Sequence, residues 1–456
     1  AGAKKAFDIR VEVPADDLSS PGAPGAAGAA PPPRRSLWPS IHPRLLELVR
    51  AHRTTILFVN NRRLAERLAA ALNELAGEDV ARAHHGSIAR EQRLAIEDAL
   101  KAGQLPAIVA TSSLELGIDM GAVDLVVQIE APPSVASGMQ RIGRASHQAE
   151  AVSRGILFPK HRADLLAVAA ITKAMNEGAV EETRIPVNPL DVLAQQLVSM
   201  AAVAERRVDE LLALVRRAAP FATLTRGQFE GVLDMLSGRY PSQEFAELRP
   251  RLTWDRRRGL VRGREGARRL VVSNAGTIPD RGLYGVFMAG APGRAGRRVG
   301  ELDEEMVFES REGEVFVLGA SSWRILEITR DRVMVEPAPG QPGKMPFWRA
   351  DRPARPVALG RVIGRLVREL LSLPPDQALQ KLASEHTLDP RAAQNLLAYL
   401  EDQRKATGAV PDDRTLVLER TRDEMGDFRL CLLSSRGARL HTPWALVIQA
   451  RLRARG

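Results

Sequence analysis

Two short motifs carry residues that could handle phosphate groups. The first, TSSLELGIDM, follows an apolar segment and begins with three small hydroxyl residues, Thr111, Ser112 and Ser113, which suit contacts with phosphates. Gly117 permits close approach of a backbone, and Asp119 can accept a hydrogen bond from a ribose hydroxyl or from water. By itself the motif also fits a Ser/Thr turn in which Asp119 caps the next segment.

The second motif, QRIGRASH, places two arginines at helical spacing. Arg141 and Arg144 are three residues apart, so a helix would present both on one face, with Gln140 one turn from Arg144. Such a pair could stabilise the charge that develops on a γ-phosphate, as arginine fingers do. The alternative is a surface helix whose arginines make ordinary ion pairs.

The elements that position these motifs can be read from the apolar pattern. Residues 36–180 alternate short β-rich segments, such as TILFV at 55–59 and LVVQI at 125–129, with amphipathic helices. This alternation predicts an α/β domain with a mostly parallel sheet covered by helices. Ligands of such sheets bind at the carboxyl ends of strands, so the turns near positions 60, 84, 111 and 130 should form the site.

Composition limits the possible classes of protein. The 456 residues predict two to four domains, and the formal charge of +10, with many arginines, favours a polyanionic partner, although a GC-rich genome also produces arginine. No apolar segment is long enough to span a membrane, and the start is unlike a signal peptide. Cys431 alone excludes an internal disulfide framework, and eight scattered histidines predict no metal site. A reducing cytoplasm fits this composition.

The residue patterns divide the rest of the chain into further segments. FDIRVEV within residues 1–18 alternates like a strand, and residues 19–35, rich in Gly, Ala and Pro, predict a flexible linker. Residues 181–270 contain two or three helices and then a stretch with eight Arg and two acidic residues, which is typical of a winged helix. That stretch also fits a solvated surface hairpin. Residues 271–456 predict a small barrel or sandwich followed by helices.

The motifs together resemble a known family. With FVNNRR and HHGS they are similar to motifs IV, V and VI in the second RecA-like domain of superfamily 2 helicases. PLDVLAQQL, SGRYPSQEF, GTIPDRG, GELDEEMV, GASSWRI and PAPGQPGKMPFWRAD closely resemble the Lhr family of bacterial helicases. The resemblance covers nearly the whole chain. Two departures are Ser146, where the family usually has Gly, and His147, where many superfamily 2 helicases have a third Arg.

The resemblance implies a fold and an activity. The expected order is a second RecA-like domain, a winged helix and an α+β domain that contains a β-barrel and helices. The expected activity is ATP-driven, Mg²⁺-dependent 3′-to-5′ movement on single-stranded DNA, with unwinding of RNA–DNA or DNA duplexes, a role in DNA repair and a cytoplasmic location at the bacterial nucleoid. The implied catalytic residues are Arg144, Arg141 and Gln140, and the implied nucleotide-binding residues are Gly117, Asp119 and Arg144. The implied nucleic-acid contacts are Asn60, Arg62, His85, Thr111, Ser112, Ser113, Ile278, Lys344, Trp348 and Arg349.

Some helicase motifs are absent from the sequence. No GxxxxGK[ST] phosphate cradle is present, because PGQPGK is followed by Met345, and DEEM at 303–306 lies in a β-rich region after motif VI. We therefore expect a separate first RecA-like domain, ended by residues 1–18, to bind most of ATP and Mg²⁺. This chain alone should hydrolyse ATP negligibly. The alternative function is a nucleic-acid-binding module that works without ATP.

One aromatic residue is a candidate for base stacking. Trp348 lies in KMPFWRADR with Lys344 and Arg349 nearby, a mixture that can stack a base and hold its phosphates. A partly buried packing role is the alternative, as it is for Trp323 and Trp254. Ile278 in GTIPDRG is a weaker candidate for a wedge between bases.

Overall fold

The computed structural model describes most of the chain and divides it into two compact units. The described residues are 6–15, 18, 37–115, 123–145, 152–183, 185–240, 249–274, 276–277, 283–289, 296–319, 321–329, 332–341, 343–344, 355–422, 426 and 428–454. The larger unit comprises 1–181 with 283–456, and the smaller unit comprises 182–282.

The first part of the larger unit is a six-stranded parallel sheet covered by helices. Its elements are, in chain order, β1 (Phe7–Val11), α1 (Trp38–Ala51), β2 (Thr55–Phe58), α2 (Arg62–Ala76), β3 (Ala81–His84), α3 (Arg90–Lys101), β4 (Ala107–Ala110), β5 (Leu125–Ile129), α4 (Val135–Ile142), β6 (Ser153–Phe158) and α5 (Asp164–Glu177). The strand order is β1-β6-β5-β2-β4-β3. Every residue of β2, β4 and β5 is buried, as is typical of parallel strands with both faces covered.

The strand expected as the end of a preceding domain or an inter-domain strand is part of this sheet. β1 pairs in parallel with β6 at the sheet edge, and Ile9 and Val11 are buried in the same core. The Val11 amide donates to the carbonyl of Thr387, and the Val13 amide donates to the carboxylate of Asp389. Buried apolar side chains and backbone hydrogen bonds to β6 and Thr387 therefore fix this strand in the larger unit.

The smaller unit has the arrangement of a winged helix. Its elements are α6 (Leu190–Val203), β7 (Arg206–Arg207), α7 (Val208–Arg216), α8 (Arg226–Ser237), β8 (Leu252–Asp255), β9 (Leu260–Gly263) and α9 (Ala267–Ser273). The three strands form an antiparallel sheet in the order β7-β9-β8. Leu197, Phe229, Leu233 and Val261 are fully buried between helices and sheet. Gly263 is needed because a Cβ there would lie 2.9 Å from the Cα of Ala202.

The larger unit continues with a second sheet and several helices. These elements are β10 (Leu283–Met288), β11 (Arg298–Asp303), α10 (Glu304–Phe308), β12 (Val315–Leu318), β13 (Ser321–Ile328), β14 (Arg332–Pro337), α11 (Val357–Ser372), α12 (Pro375–His386), α13 (Pro390–Thr407), β15 (Val417–Arg422), β16 (Phe428–Leu433) and α14 (Ala438–Arg453). The five strands β11-β10-β14-β13-β12 form a mixed sheet, bent by register shifts in β10 and β13. The expected fold class is thus confirmed, with a curled, open sheet in the place of the expected barrel.

The curled sheet is bonded to the loop after β3. Residues 87–89 lie along β11, where the Glu301 amide donates to the Ser87 carbonyl at 2.9 Å and the Ala89 amide donates to the Val299 carbonyl at 3.2 Å. A Cβ on Gly300 would lie 2.4 Å from the Ser87 carbonyl oxygen, so only glycine fits this approach. In the described parts of the chain, no helix is long and apolar enough to cross a membrane.

Candidate nucleotide and nucleic-acid site

A polar cleft lies at the carboxyl ends of β2 to β5. Because these strands are parallel, the turns that follow them share one edge of the sheet, as expected from the sequence. The cleft has a volume of about 650 Å³. Its lining residues are Asn60, Asn61, Arg62, Gly86, Arg93, Thr111, Ser112, Ser113, Glu115, Pro133, Ser134, Ala136, Ser137, Gln140 and Arg141.

The hydroxyl residues after β4 reach this cleft to different extents. Residues Ser112–Leu114 form a single 3₁₀ turn. Thr111 is buried and its amide donates to the carbonyl of His84 at 3.3 Å, whereas Ser112 is exposed. The Ser113 hydroxyl donates to the same His84 carbonyl at 3.0 Å. The turn is thus held by β3 and leaves one hydroxyl free to meet a ligand.

Asn60 and Arg62 follow β2 and bond across the site. The Asn60 amide nitrogen donates to the Ala131 carbonyl at 2.8 Å, and its oxygen accepts from Arg141. Arg62, the first residue of α2, donates to the Ser87 hydroxyl at 2.7 Å. Arg62 therefore lies on the cleft surface, while Asn60 is largely occupied in joining the turn after β2 to the turn after β5.

The two histidines of HHGS are fully buried and each contacts a carboxylate. His84 lies 2.9 Å from Glu97 through Nε2, and burial lowers the pKa of His84. The Nε2 of His85 lies 2.8 Å from Glu66, whose same oxygen accepts the amide of Gly319 in the curled sheet. His85 has no exposed surface, so its expected contact with nucleic acid stays a prediction and would have to be indirect.

Arg141 is buried and bonded on all sides. Its Nε and Nη2 contact the carboxylate of Glu115 at 2.6 and 2.5 Å, and its Nη1 donates to Asn60 and Gln128, both at 2.9 Å. The guanidinium also stacks 5.4 Å from the ring centre of Phe58. Burial lowers the pKa of Arg141, and Glu115 opposes that effect. These contacts join the turns after β2 and β4 to strand β5.

Arg144 lies beyond the helix on which the sequence placed it. α4 ends at Ile142, and the backbone of Gly143, which caps it, stays right-handed. Arg144 therefore lies just after the helix, and both arginines reach one residue, because Nη2 of Arg144 donates to the backbone carbonyl of Glu115 at 2.6 Å. Arg144 is half-buried, and Gln140 is exposed on α4 and lines the cleft.

Several residues of the site were not singled out from the sequence. Glu115 lies inside the first motif, and its carboxylate also accepts from Ser137 at 2.9 Å. Glu130 has a left-handed backbone, φ 64°, which is unusual outside glycine, and it accepts from Lys160 at 2.8 Å. Arg93 lines the cleft, and its buried Nε has no hydrogen-bond partner among the described residues. Only the charge of Arg93 and the carboxylate within TSSLELGID were signals visible in the sequence.

The remaining predicted residues are outside this cleft or outside the described residues. Lys344 lies beside β12, where its ammonium group contacts both carboxylate oxygens of Glu314 at 2.8 Å. Gly117, Asp119, Ile278, Trp348 and Arg349 fall outside the described residues. Of the other candidate stacking residues, Trp323 is buried in the core of the curled sheet.

Known families match three parts of the sequence. Residues 41–148 match the helicase conserved C-terminal domain, 173–345 the winged helix domain of the large helicase-related protein, and 410–456 the DEAD/H associated family. These matches fall on the parallel-sheet domain, on a stretch including the winged helix and curled sheet, and on the carboxyl-terminal hairpin and helix.

Two bacterial proteins and one solved structure are similar over nearly the whole chain. The Lhr helicase/probable uracil glycosylase of Mycolicibacterium smegmatis is 50% identical over 99% of this chain, and the Lhr helicase/uracil glycosylase of Escherichia coli is 47% identical over 98%. The structure of Mycobacterium smegmatis helicase Lhr bound to ssDNA and AMP-PNP matches with 46% identity and a TM-score of 0.72, over 100% of this chain and 53% of that one. The chain spans 31% of the length of each of the two curated relatives. Its motifs, its order of domains and these matches agree, and the chain belongs to the Lhr helicase family.

Proposed function

We propose that this chain is the carboxyl-terminal portion of the motor of an ATP-dependent helicase that moves along nucleic acid. The observation that carries the proposal is the convergence of Arg141 and Arg144 on Glu115. Glu115 directly follows the turn that bears Ser112 and Ser113 at the cleft. Groups expected at the nucleotide and groups expected at the strand thus belong to one bonded unit, which is what coupling hydrolysis to movement requires.

The cleft would bind the backbone of a single strand. Ser112 is exposed, and Arg62 and Arg93 line the cleft, so neutral and charged groups are both present for phosphate oxygens. Gly86 leaves open space beside them, because a Cβ there would meet nothing within 4 Å. Support for a single DNA strand comes from the related helicase, whose solved structure contains ssDNA.

The two arginines would have different tasks at the nucleotide. Bound ATP supplies the γ-phosphoryl group whose transfer to water powers movement. Arg144 is half-buried and close to the surface, so its guanidinium could turn from the Glu115 carbonyl to the developing charge. Arg141 would act as a positioning residue, because its donors are already used by three acceptors inside the protein. Gln140 would contact the same phosphate, and Gly117 and Asp119 would contact the ribose side.

Mg²⁺ does not fit the described part of this chain. Among the described residues, no three His, Cys, Asp or Glu side chains lie close enough together to hold a metal ion. We propose that a first RecA-like domain provides the metal carboxylate and the phosphate cradle, which agrees with the absence of GxxxxGK[ST] from the sequence.

The finer features of the activity rest on the family resemblance. They are 3′-to-5′ movement on single-stranded DNA, unwinding of RNA–DNA or DNA duplexes, a role in DNA repair and association with the bacterial nucleoid. Membership of the Lhr family supports them. The alternative, a binding module independent of ATP, gives no reason for two arginines to be held beside a strand-binding turn.

The test is an arginine substitution in the complete enzyme. Arg144→Ala should lower ATP turnover on the order of 10³-fold while leaving DNA affinity nearly unchanged. Arg154→Ala, which removes an exposed arginine from β6, is the matched control and should alter neither quantity. An equal loss of DNA binding in Arg144→Ala would make both motif arginines backbone contacts and would favour the binding module.

A further inference from the structure

A group of exposed arginines on the smaller unit lies outside the cleft. Between positions 251 and 270 the sequence has eight Arg and two acidic residues. Seven of these arginines are exposed, on the β8–β9 hairpin, just after it and on α9, and one of them, Arg256, contacts Asp234. We call the other six the arginine surface. They are Arg257, Arg258, Arg262, Arg264, Arg268 and Arg269.

Strand geometry directs part of this surface away from the core. Arg262 pairs with Thr253 across the hairpin, and the Arg264 amide donates to the Arg251 carbonyl at 3.0 Å. Since side chains alternate along a strand, Arg262 and Arg264 lie on the face opposite the fully buried Val261. Two arginines therefore share one solvent-facing side of the sheet.

The turn between the two strands is fixed and presents two more cations. The carboxylate of Asp255 accepts the amides of Arg257 and Arg258 at 3.0 and 3.1 Å. Gly259 completes the turn with φ 66°, a conformation that favours glycine. The backbone is thus ordered while both side chains stay exposed, which lowers the entropy lost when they bind a ligand.

The positive charge of this surface is not compensated by the described part of the protein. None of its six arginines forms an ion pair with a described acidic residue. Elsewhere in the same unit, Arg226 contacts both Asp209 and Glu230, and Arg256 contacts Asp234. Uncompensated like charges repel each other, so an external polyanion would relieve an unfavourable field.

The surface lacks the feature expected of a single-strand site. Trp254 is the one aromatic residue between 249 and 274, and its ring lies 3.9 Å from the guanidinium of Arg256, which covers it. Single-strand sites hold bases on exposed aromatic rings, whereas a duplex keeps its bases stacked inside and offers only phosphates to a basic face. Charge without stacking therefore fits a duplex.

We propose that the arginine surface binds the phosphate backbone of double-stranded nucleic acid, separately from the cleft. The proposal rests on the proposed function only in taking a duplex as one of the helicase's substrates, because this binding needs no ATP. The surface also precedes Ile278, the residue predicted to wedge between bases, since α9 ends at Ser273. Duplex would thus be held close in sequence to the point expected to separate strands.

The experiment measures binding of a fluorescein-labelled DNA duplex, and of one of its strands, to the complete 456-residue chain without ATP. The triple variant Arg262→Gln, Arg264→Gln and Arg269→Gln should weaken duplex binding and change single-strand binding little. Loss of three phosphate contacts should lower the slope of log K against log salt by about 2.7. Between roughly 50 and 200 mM salt, the unmodified chain should therefore lose about 40-fold more duplex affinity than the variant.

The matched control removes the same charge elsewhere. Arg361→Gln, Arg365→Gln and Lys405→Gln neutralise three exposed cations of α11 and α13, and this variant should keep both affinity and slope. Equal losses in the two triple variants would show an effect of net charge alone and overturn the proposal. No duplex binding at low salt, or an equal loss of single-strand binding, would also overturn it.

Two further variants test the proposal even if the triple glutamine variant does not fold. Arg257→Gln with Arg258→Gln changes only the turn, and it should lower the slope by about 1.8 for two lost contacts. Lysine at positions 262, 264 and 269 keeps the charge and should retain most of the duplex affinity. Loss in the lysine variant as large as in the glutamine variant would contradict phosphate binding. ATP turnover of the complete enzyme, the test of the proposed function, is a separate measurement, so either proposal can fail alone.

Discussion

Replacing Arg141 by methionine should destabilise the parallel-sheet domain far more than the same change at Arg144. The Arg141 side chain is 3% exposed and supplies donors to Glu115, Asn60 and Gln128. Methionine fills much of the volume but leaves a largely buried carboxylate and two amide oxygens without these donors. Removing one partner of a buried ion pair costs about 3–5 kcal/mol. Arg144→Met loses a bond to a backbone carbonyl at a half-buried position, which costs about 1 kcal/mol.

Native-state amide hydrogen exchange can measure the difference in this chain without ATP. A loss of about 3–5 kcal/mol should accelerate exchange of amides in β5 and α4 by roughly 10²- to 10⁴-fold, since each 1.4 kcal/mol is tenfold. Arg144→Met should accelerate the same amides less than about tenfold. Arg141→Lys, which keeps the charge but not the planar fork, should fall between them. If Arg141→Met and Arg144→Met gave the same acceleration, the buried contacts of Arg141 would not be holding the turns together.

Three other predictions concern separate parts of the chain. Burial lowers the pKa of His84, so the unfolded chain binds the proton at a higher pH than the folded chain, and the free energy of unfolding should fall as pH decreases below about 6.5. In urea denaturations at a series of pH values, His84→Gln should make this decrease shallower, and an unchanged decrease would refute the prediction. In thermal unfolding, Gly300→Ala should destabilise the protein by about 1–3 kcal/mol, because the added Cβ meets the Ser87 carbonyl. Gly231→Ala in α8, where nothing lies within 4 Å, should stabilise it by about 0.4–1 kcal/mol. Equal effects would contradict the close contact between β11 and the loop after β3. In the complete enzyme, Trp348→Ala should lose about 1–3 kcal/mol of stacking and most strand displacement while keeping ATP hydrolysis, and Trp348→Phe should keep both; an Ala variant that unwinds normally would exclude this role.

The parallel sheet was predictable because its strands are unusual in composition. TILF, AIVA and LVVQI are apolar throughout, and such segments between amphipathic helices have few alternatives to a covered parallel sheet. The alternating pattern of residues 7–13 identified a strand but not its partner. That partner, β6, begins at Ser153, and a local pattern carries no information on a pairing across such a distance.

The sequence predicted where the cleft lies on the sheet but not the contacts of the residues that line it. Strand ends located the turns after β2, β3, β4 and β5 correctly. The burial of Arg141 depends on Asn60, which is 81 residues away in sequence, and the burial of His85 depends on Glu66 and on the curled sheet. Neither the helical spacing that singled out Arg141 nor the resemblance that singled out His85 carries information on these distant partners. Helical spacing did not locate the end of α4, which Gly143 caps one residue before Arg144.

The contacts of the amino-terminal strand impose a delay on folding during synthesis. The Val13 amide bonds to Asp389 and the Leu18 amide bonds to Asn395, across 376 and 377 residues. A ribosome adding about 5–20 residues per second would produce these acceptors roughly 20–75 s after the donors. Until then β1 is bonded only to β6. The unpaired backbone groups on its other edge can pair with neighbouring nascent chains. Slowing translation after residue 158 should therefore lengthen the period in which polysomes of this protein aggregate.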